Sequence, residues 1–274
     1  MTADLPSITV VTPSFNQGSF LERTILSVLD QDYPALEYFV MDGGSTDGSV
    51  DIIRRYAHRL DHWASQPDGG QTAAINTGWR MAHGEILCWL NSDDYYLPGT
   101  LRFVGEYMRQ HPEEWVVYGS WEAVDDAGRR LNFAGRPFGH SRMILSQNCI
   151  PQPAAFIRRA AIDEVGYLDE ALHYTMDLDL FMRIARHRTP RYISRPLAAA
   201  TVHADAKTIR DRHAMAHERY LVRRRYARSF EAPLVLLQPA ASFVFAAVPV
   251  PVRNLLHRLR PRRTFDAPLP KRSR

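Results

Sequence analysis

Two adjacent carboxylates, Asp93 and Asp94, follow the apolar run of residues 86–90 in "ILCWLNSDDYYLPG". A strand suited to the core delivers them to its end, where burying either charge unpaired would cost several kcal/mol or more. They must therefore meet water, a cation or a basic group. Three more polar turns have a similar setting: "TPSFN" at 12–16, "DGGSTD" at 42–47 and "DGGQ" at 68–71. Further along, Asp177 and Asp179 open the helical pattern "MDLDLFMRIA", and His203 and Lys207 follow the last predicted strand in "TVHADAKT". An imidazole such as His203 can ligate a metal, and an ammonium such as Lys207 can pair with an anion. His213 and His217 stand i, i+4 with Glu218 next, but "HAMAHE" lacks the H-E-x-x-H order of a zinc hydrolase. They read as surface helix residues.

Alternating strands and helices must position these groups. Residues 7–12 read as a buried strand, followed from Gly18 by a helix with Leu21, Ile25, Val28 and Leu29 on one face. Ser19 and Glu22 have the spacing of a capping box at its start. The cycle repeats with a strand at 37–41, a helix from Ser49, a strand at 62–65, a helix through Met81 and the strand at 86–90. This order predicts an α/β fold with a mostly parallel central sheet flanked by helices. Ligands of such sheets sit beyond the carboxyl ends of the strands. All four polar turns fall there, so they should converge on one rim. Beyond Pro98, well placed to start a helix, the order loosens: strands near 115–120 and 131–133, a turn at 125–130, a proline-marked loop and strand in "NCIPQPAAFIRR", and the helix bearing Asp177.

The 274 residues are 45% hydrophobic and 23% charged, an ordinary globular composition, with a net charge of +4. That sum hides a division. Residues 1–204 hold 18 Lys and Arg against 25 Asp and Glu, net −7, whereas residues 205–274 hold 16 against 5, net +11. An acidic body at 1–204 and a basic, mainly helical extension at 205–274 are expected. Cys88 and Cys149 lie far apart in apolar surroundings and suit reduced thiols. No secretory signal is recognisable at the N-terminus, so a cytoplasmic location is expected. The apolar stretch 233–252 is about the length of a membrane span but is interrupted by Gln238 and prolines 239, 249 and 251. With arginines on both sides, it fits either a segment lying on the inner membrane leaflet or one packed on the body.

The motifs "VVTPSFNQGSFLERTILSVLDQDYP", "VMDGGSTDGS", "PDGGQTAAINTGWRMAHGEILCWLNSDD", "IPQPAAFIRR" and "MDLDLFMRIA" resemble, in order over roughly residues 7–205, the family 2 glycosyltransferases of GT-A fold. The resemblance implies a Rossmann-like nucleotide-diphospho-sugar transferase. It implies that Asp93 ligates Mg2+ or Mn2+, with Asp94 and His203 as further candidate ligands. Asn91 stands where the family usually has the first acid of its D-x-D motif, and brings an amide without charge. Thr12, Pro13 and Asn16 match the loop that cups the base, Asp42 the strand-end acid that accepts a bond from base or ribose, and Gln71 a polar position near the nucleotide. Asp177 matches the catalytic base that deprotonates an acceptor hydroxyl in a single inverting displacement, with Met176 in place of the usual glutamate. Asp179, pointing to a different side of the helix, is its competitor.

The expected partners are a nucleotide-sugar donor, with UDP commonest in the family, and a saccharide or lipid-linked acceptor of cell-surface polysaccharide or glycolipid synthesis. Peripheral contact with the inner leaflet would suit a lipid-linked acceptor. Other readings are a catalytically degenerate relative, a nucleotidyltransferase, or a nucleic-acid-binding protein driven by the arginine-rich tail. A nucleotidyltransferase would call for a basic glycine-rich loop near the first strand, and "TPSFNQGS" has no Lys or Arg. The tail's arginines lack the aromatic platforms of a nucleic-acid module, so no nucleic acid is expected.

Overall fold

The computed structural model describes residues 5–125, 129–145, 148–203 and 210–237, with the side chains of 132–134 excepted. In β1 (Ile8–Ser14) every residue is buried, and alternate residues feed opposite layers. Ile8 and Val10 join one apolar cluster and Val11 the other. The same alternation runs through β2 (Leu36–Asp42), where Tyr38 and Val40 oppose Phe39 and Met41, and β4 (Ile86–Trp89), where Ile86 and Cys88 oppose Leu87 and Trp89. Strands buried on both faces need helices above and below. The first layer receives α1 (Gly18–Leu29), α2 (Ser49–Tyr56) and α4 (Thr100–Gln110) through Leu21, Ile53 and Leu101. The second receives α3 (Gln71–Met81) through Ile75 and Trp79.

With β3 (His62–Ser65), the strands β3-β2-β1-β4 form the parallel half of the sheet. Beyond β4 the sheet becomes mixed. It continues through β8 (Ala155–Arg158), antiparallel to β4; β6 (Val116–Val124); β9 (Arg191–Thr201), parallel to β6; and β5 (Asp94–Tyr96), antiparallel to β9. β7 (Arg130–Ala134) pairs with β6 off this path. The α/β expectation thus holds, with a mixed second half. Pro13 sits in β1 beyond the four residues that pair with β4, so its missing N–H leaves that ladder intact.

Helices α5 (His140–Leu145), α6 (Arg159–Val165), α7 (Met176–Ile184) and α8 (Arg212–Tyr226) all contribute to the second layer. The compact unit runs through Val235, so α8 belongs to the body, beyond the position 204 that the charge division suggests. A second unit starts at Leu236, and only its first two residues are described. Both cysteines are buried free thiols. Lys207, the turn residues 126–128 and the stretch 238–252 lie outside the described residues. Among the described residues no helix is long and apolar enough to cross a membrane.

One local expectation is corrected. Ser19 and Glu22 do not form a capping box, because Gln17 is the N-cap and makes no side-chain cap bond. The Asp47 carboxylate from the β2–α2 turn accepts the Gly18 N–H instead, at 2.8 Å, while also taking the Ser49 N–H and hydroxyl. Glu22 is committed to the Tyr56 hydroxyl and Arg55.

Candidate active site

The four polar turns meet at one rim and are tied together there. Asn16, in left-handed backbone at φ 52°, accepts the Thr46 N–H on its Oδ1 while its own N–H donates to Ser45 Oγ. Asx residues tolerate that backbone better than other side chains. Asp42, almost fully buried, accepts the N–H groups of Gly44 and Ser45 and the hydroxyls of Ser45 and Ser65. Asp68 takes the Gly70 N–H, and a Cβ on Gly43 would lie 3.3 Å from both Asp68 and the Phe15 ring. Gln71 Nε2 donates to Asn91 Oδ1 at 2.7 Å. Thr12 is fully buried and bonded to Tyr38, so its hydroxyl supports the loop from below. Phe15, one residue beyond β1, stands 60% exposed on the rim.

The turn 91–94 is fixed from three sides. Thr24 of α1 donates its hydroxyl to the carbonyls of Ser92 and Asp94, and Thr201 of β9 donates to the Asp93 carbonyl. Asp93 Oδ2 lies 3.1 Å from His203 Nε2, and the Phe20 ring packs on that imidazole with centroids 4.5 Å apart. Asp94 ends this turn. It begins β5, pairs with Ala200, and shares the inward face with Tyr96 at 6% exposure. Burial, followed by the neighbouring Asp93 charge, pushes its carboxyl well above the ordinary range against the opposing pull of Asn91 and Arg23, favouring the protonated acid. Asn91 Nδ2 donates to Asp94 Oδ2 at 3.3 Å and to Gln152 Oε1 at 3.0 Å.

Among the described residues no three His, Cys, Asp or Glu side chains converge as a metal cage. Asp93 and His203 nevertheless fit a hard divalent cation that takes its remaining ligands from phosphate and water. The pair offers one carboxylate oxygen and one imidazole nitrogen 3.1 Å apart, held at the rim by β5 and β9.

Asp177 lies in the first turn of α7, partly exposed, with Oδ2 accepting the Asn148 amide at 2.7 Å. Burial of its carboxyl raises its pKa to about 6; the Leu178 N–H, the Arg219 charge, its own N–H and Asn148 only partly offset this. Asp179 is spoken for: it is 3% exposed, ion-paired with Arg183 at 2.8 Å and bonded to the Tyr226 hydroxyl at 2.7 Å. Met176 is buried in the core.

Asn148 and Gln152 were not singled out among the candidate residues, and they connect the two ends of the site. Asn148 holds Asp177, and Gln152, itself donating to the Trp89 carbonyl, holds Asn91. Four residues of chain span at most about 14 Å, so one short loop joins the Asp177 carboxylate to the 91–94 turn. The sequence signal was the run of polar side chains around the prolines of "NCIPQP". Glu218, in the sequence only the neighbour of His217, has a structural task. From α8 it accepts the N–H groups of His173, Tyr174 and Thr175 and the Thr175 hydroxyl, directly ahead of α7.

Comparison with known proteins adds identity to this geometry. An uncharacterized glycosyltransferase of Rickettsia typhi is 26% identical over 211 residues, 74% of this chain and 66% of that protein. The putative teichuronic acid biosynthesis glycosyltransferase TuaG of Bacillus subtilis is 34% identical over 113 residues, 40% of this chain and 45% of its own. Across the first four curated relatives, the chain spans from about a third to two thirds of their length. Among solved structures, S. aureus TarS 1–349 in complex with UDP has a TM-score of 0.63 at 18% identity, covering 91% of this chain and 78% of that one. Mannosyltransferase PcManGT of Pyrobaculum calidifontis, in complex with GDP-Man and Mn2+, has a TM-score of 0.62 at 19% identity, covering 93% and 80%. At these identities the structures speak for the GT-A fold. Residues 9–166, more than half of the chain, match the description Glycosyl transferase family 2, and the protein belongs to that family.

Proposed function

We propose that the protein is an inverting glycosyltransferase that moves a sugar from a nucleotide-diphosphate donor, a UDP-sugar first among them, to an acceptor hydroxyl. The observation that carries this reading is the short bridge of residues 148–152. It ties the carboxylate of Asp177 to the 91–94 turn, so a candidate base and the candidate metal turn are held by one short loop.

Each residue then has a physical task. The 12–16 loop and Asp42 form the floor under base and ribose, and the exposed Phe15 ring offers a face on which a base can stack. Gln71 and Asn91, bonded to each other, set the polar border of the site beside ribose and diphosphate. Asp93 and His203 would hold Mn2+ or Mg2+, which when bound neutralises charge on the departing diphosphate. Asp94 supports the turn from beneath. Asp177 accepts the proton of the acceptor hydroxyl as that oxygen attacks the anomeric carbon. The anomeric carbon–phosphate oxygen bond breaks on the opposite face, giving inversion. A carboxyl with a pKa near 6 is ionised at neutral pH yet more basic than an ordinary aspartate.

UDP and UDP-GlcNAc in the TarS complexes and the teichuronic acid role in the name of TuaG support a UDP-sugar donor and a cell-surface polysaccharide or glycolipid product. A cytoplasmic protein held peripherally at the inner leaflet by its basic extension would meet a lipid-linked acceptor there. The test is nucleotide diphosphate release from a panel of UDP-, dTDP-, GDP- and CDP-sugars with saccharide and lipid-linked acceptors, alongside Asp177→Asn. One donor turned over by the wild type and lost in the variant is the expected result. Turnover undiminished in Asp177→Asn would remove the base from this account.

A further inference from the structure

The basic C-terminal helix does more than cover the core. Glu218 reaches from α8 to the turn before α7, where its Oε2 accepts the His173 N–H at 2.9 Å and its Oε1 accepts Tyr174 N at 2.8 Å, Thr175 N at 2.7 Å and Thr175 Oγ1 at 2.8 Å. Three consecutive backbone N–H groups thus close on one carboxylate. Successive N–H groups at a helix start form an anion-binding concavity that favours negative charge. Burial would raise the Glu218 pKa, but the bonds from His173, Thr175 and Tyr174 outweigh it and hold the carboxyl below its ordinary value. Thr175 is the N-cap of α7 and makes no side-chain cap bond within that helix; Glu218 instead holds its N–H and its hydroxyl.

Asp177 comes two residues after this clamp. Its carboxylate has Asn148 as its side-chain hydrogen-bond donor, and the charge acting on it comes from Arg219, the residue next to Glu218 on α8. On α7, Asp179 and Arg183 are paired with each other. The same helix α8 is anchored to α7 a second time, by the Tyr226 hydroxyl on Asp179. That second bond joins the same two helices without touching the turn, so it separates positioning from simple attachment.

We propose that Glu218 is a positioning residue for the catalytic base: by clamping residues 173–175 it fixes the start of α7 and so the place of the Asp177 carboxylate. This rests on Asp177 being the base, but its test does not depend on turnover. The carboxyl carbon of Asp177 is followed by NMR through a pH titration in the full chain as wild type, Glu218→Gln, Glu218→Ala and Tyr226→Phe. In the wild type the midpoint is expected near 6. Glu218→Gln removes the charge but keeps an acceptor oxygen for the turn, so the midpoint should stay within about half a unit. Tyr226→Phe should leave it in place. In Glu218→Ala the freed turn exposes the carboxyl, and the midpoint should fall by at least one unit toward the ordinary value of about 4.

Should Glu218→Ala not fold, Glu218→Asp, one methylene too short to span the turn, must show the same downward shift. A folded Glu218→Ala protein with an unchanged midpoint overturns the proposal. So does an equal shift in Tyr226→Phe, which would mean general loosening, or in Glu218→Gln, which would mean a charge effect alone. Failure of the base assignment itself shows separately, as undiminished turnover in Asp177→Asn.

Discussion

Replacing Asp177 with Asn should stabilise the protein at neutral pH while sharply lowering its turnover. The unfolded carboxyl titrates near 3.9, and in the fold burial raises it to about 6. The folded state therefore holds this proton more tightly than the unfolded chain. As far as this group is concerned, the fold is most stable below about pH 4, and the penalty grows as pH rises through the window between about 4 and 6. At about 1.4 kcal/mol per unit the full penalty is at most about 3 kcal/mol, and partial solvent contact reduces it to roughly 1–2 kcal/mol. Asparagine carries no charge and can still accept the Asn148 amide, so it escapes the penalty. Urea unfolding of wild type and Asp177→Asn at pH 4, 5.5 and 7.5 should show the variant's advantage small at the first, about two thirds developed at the second and full at the third. Loss of a general base should lower turnover about 100-fold or more. A stability difference independent of pH, or one favouring the wild type at pH 7.5, would refute the reasoning.

Other substitutions probe the scaffold and the metal turn. A Cβ on Gly78 would lie 2.7 and 2.8 Å from the Val11 methyls, so Gly78→Ala should cost about 1–3 kcal/mol through overpacking, measured by urea unfolding. In a Val11→Ala background the same change should be neutral or stabilising. Asp47→Ala removes the acceptor that caps α1 from the neighbouring turn and should cost about 1–2 kcal/mol in the same assay. Asn91→Asp would set a charge beside the buried Asp94 carboxyl and lose donors to Asp94 and Gln152. Thermal unfolding at pH 7.5 should register a loss of about 1–3 kcal/mol, partly recovered on adding Mn2+ as the new charge is neutralised.

The parallel half of the sheet was legible because its strands carry continuous apolar runs and its helices clear periodicity; the strand at 62–65 falls where expected. The rim was legible for the same reason, since strand ends are fixed once the strands are. What escaped depends on partners distant in sequence. β5 has only three residues, too few for a pattern, and its pairing with β9 is what draws Asp94 inside. Asp47 outcompetes the local Ser19 and Glu22 spacing because the β2–α2 turn lies against the start of α1. Asp179 and Asp177 have the same residue type in the same helix. What separates them is Arg183 and Tyr226 on the first and Asn148 on the second, with Tyr226 47 residues and Asn148 29 residues from its partner. Glu218 contacts a turn 43 to 45 residues earlier, and nothing near it in sequence marks that role.

The most direct test of the central claim is calorimetric binding of UDP, dTDP, GDP and CDP to the purified protein, with and without Mn2+, in wild type and Asp93→Ala. One diphosphate, expected to be UDP, should bind with an affinity that rises on adding Mn2+, and that rise should vanish in the variant. Absence of binding by any of the four to a folded wild-type protein would contradict the account.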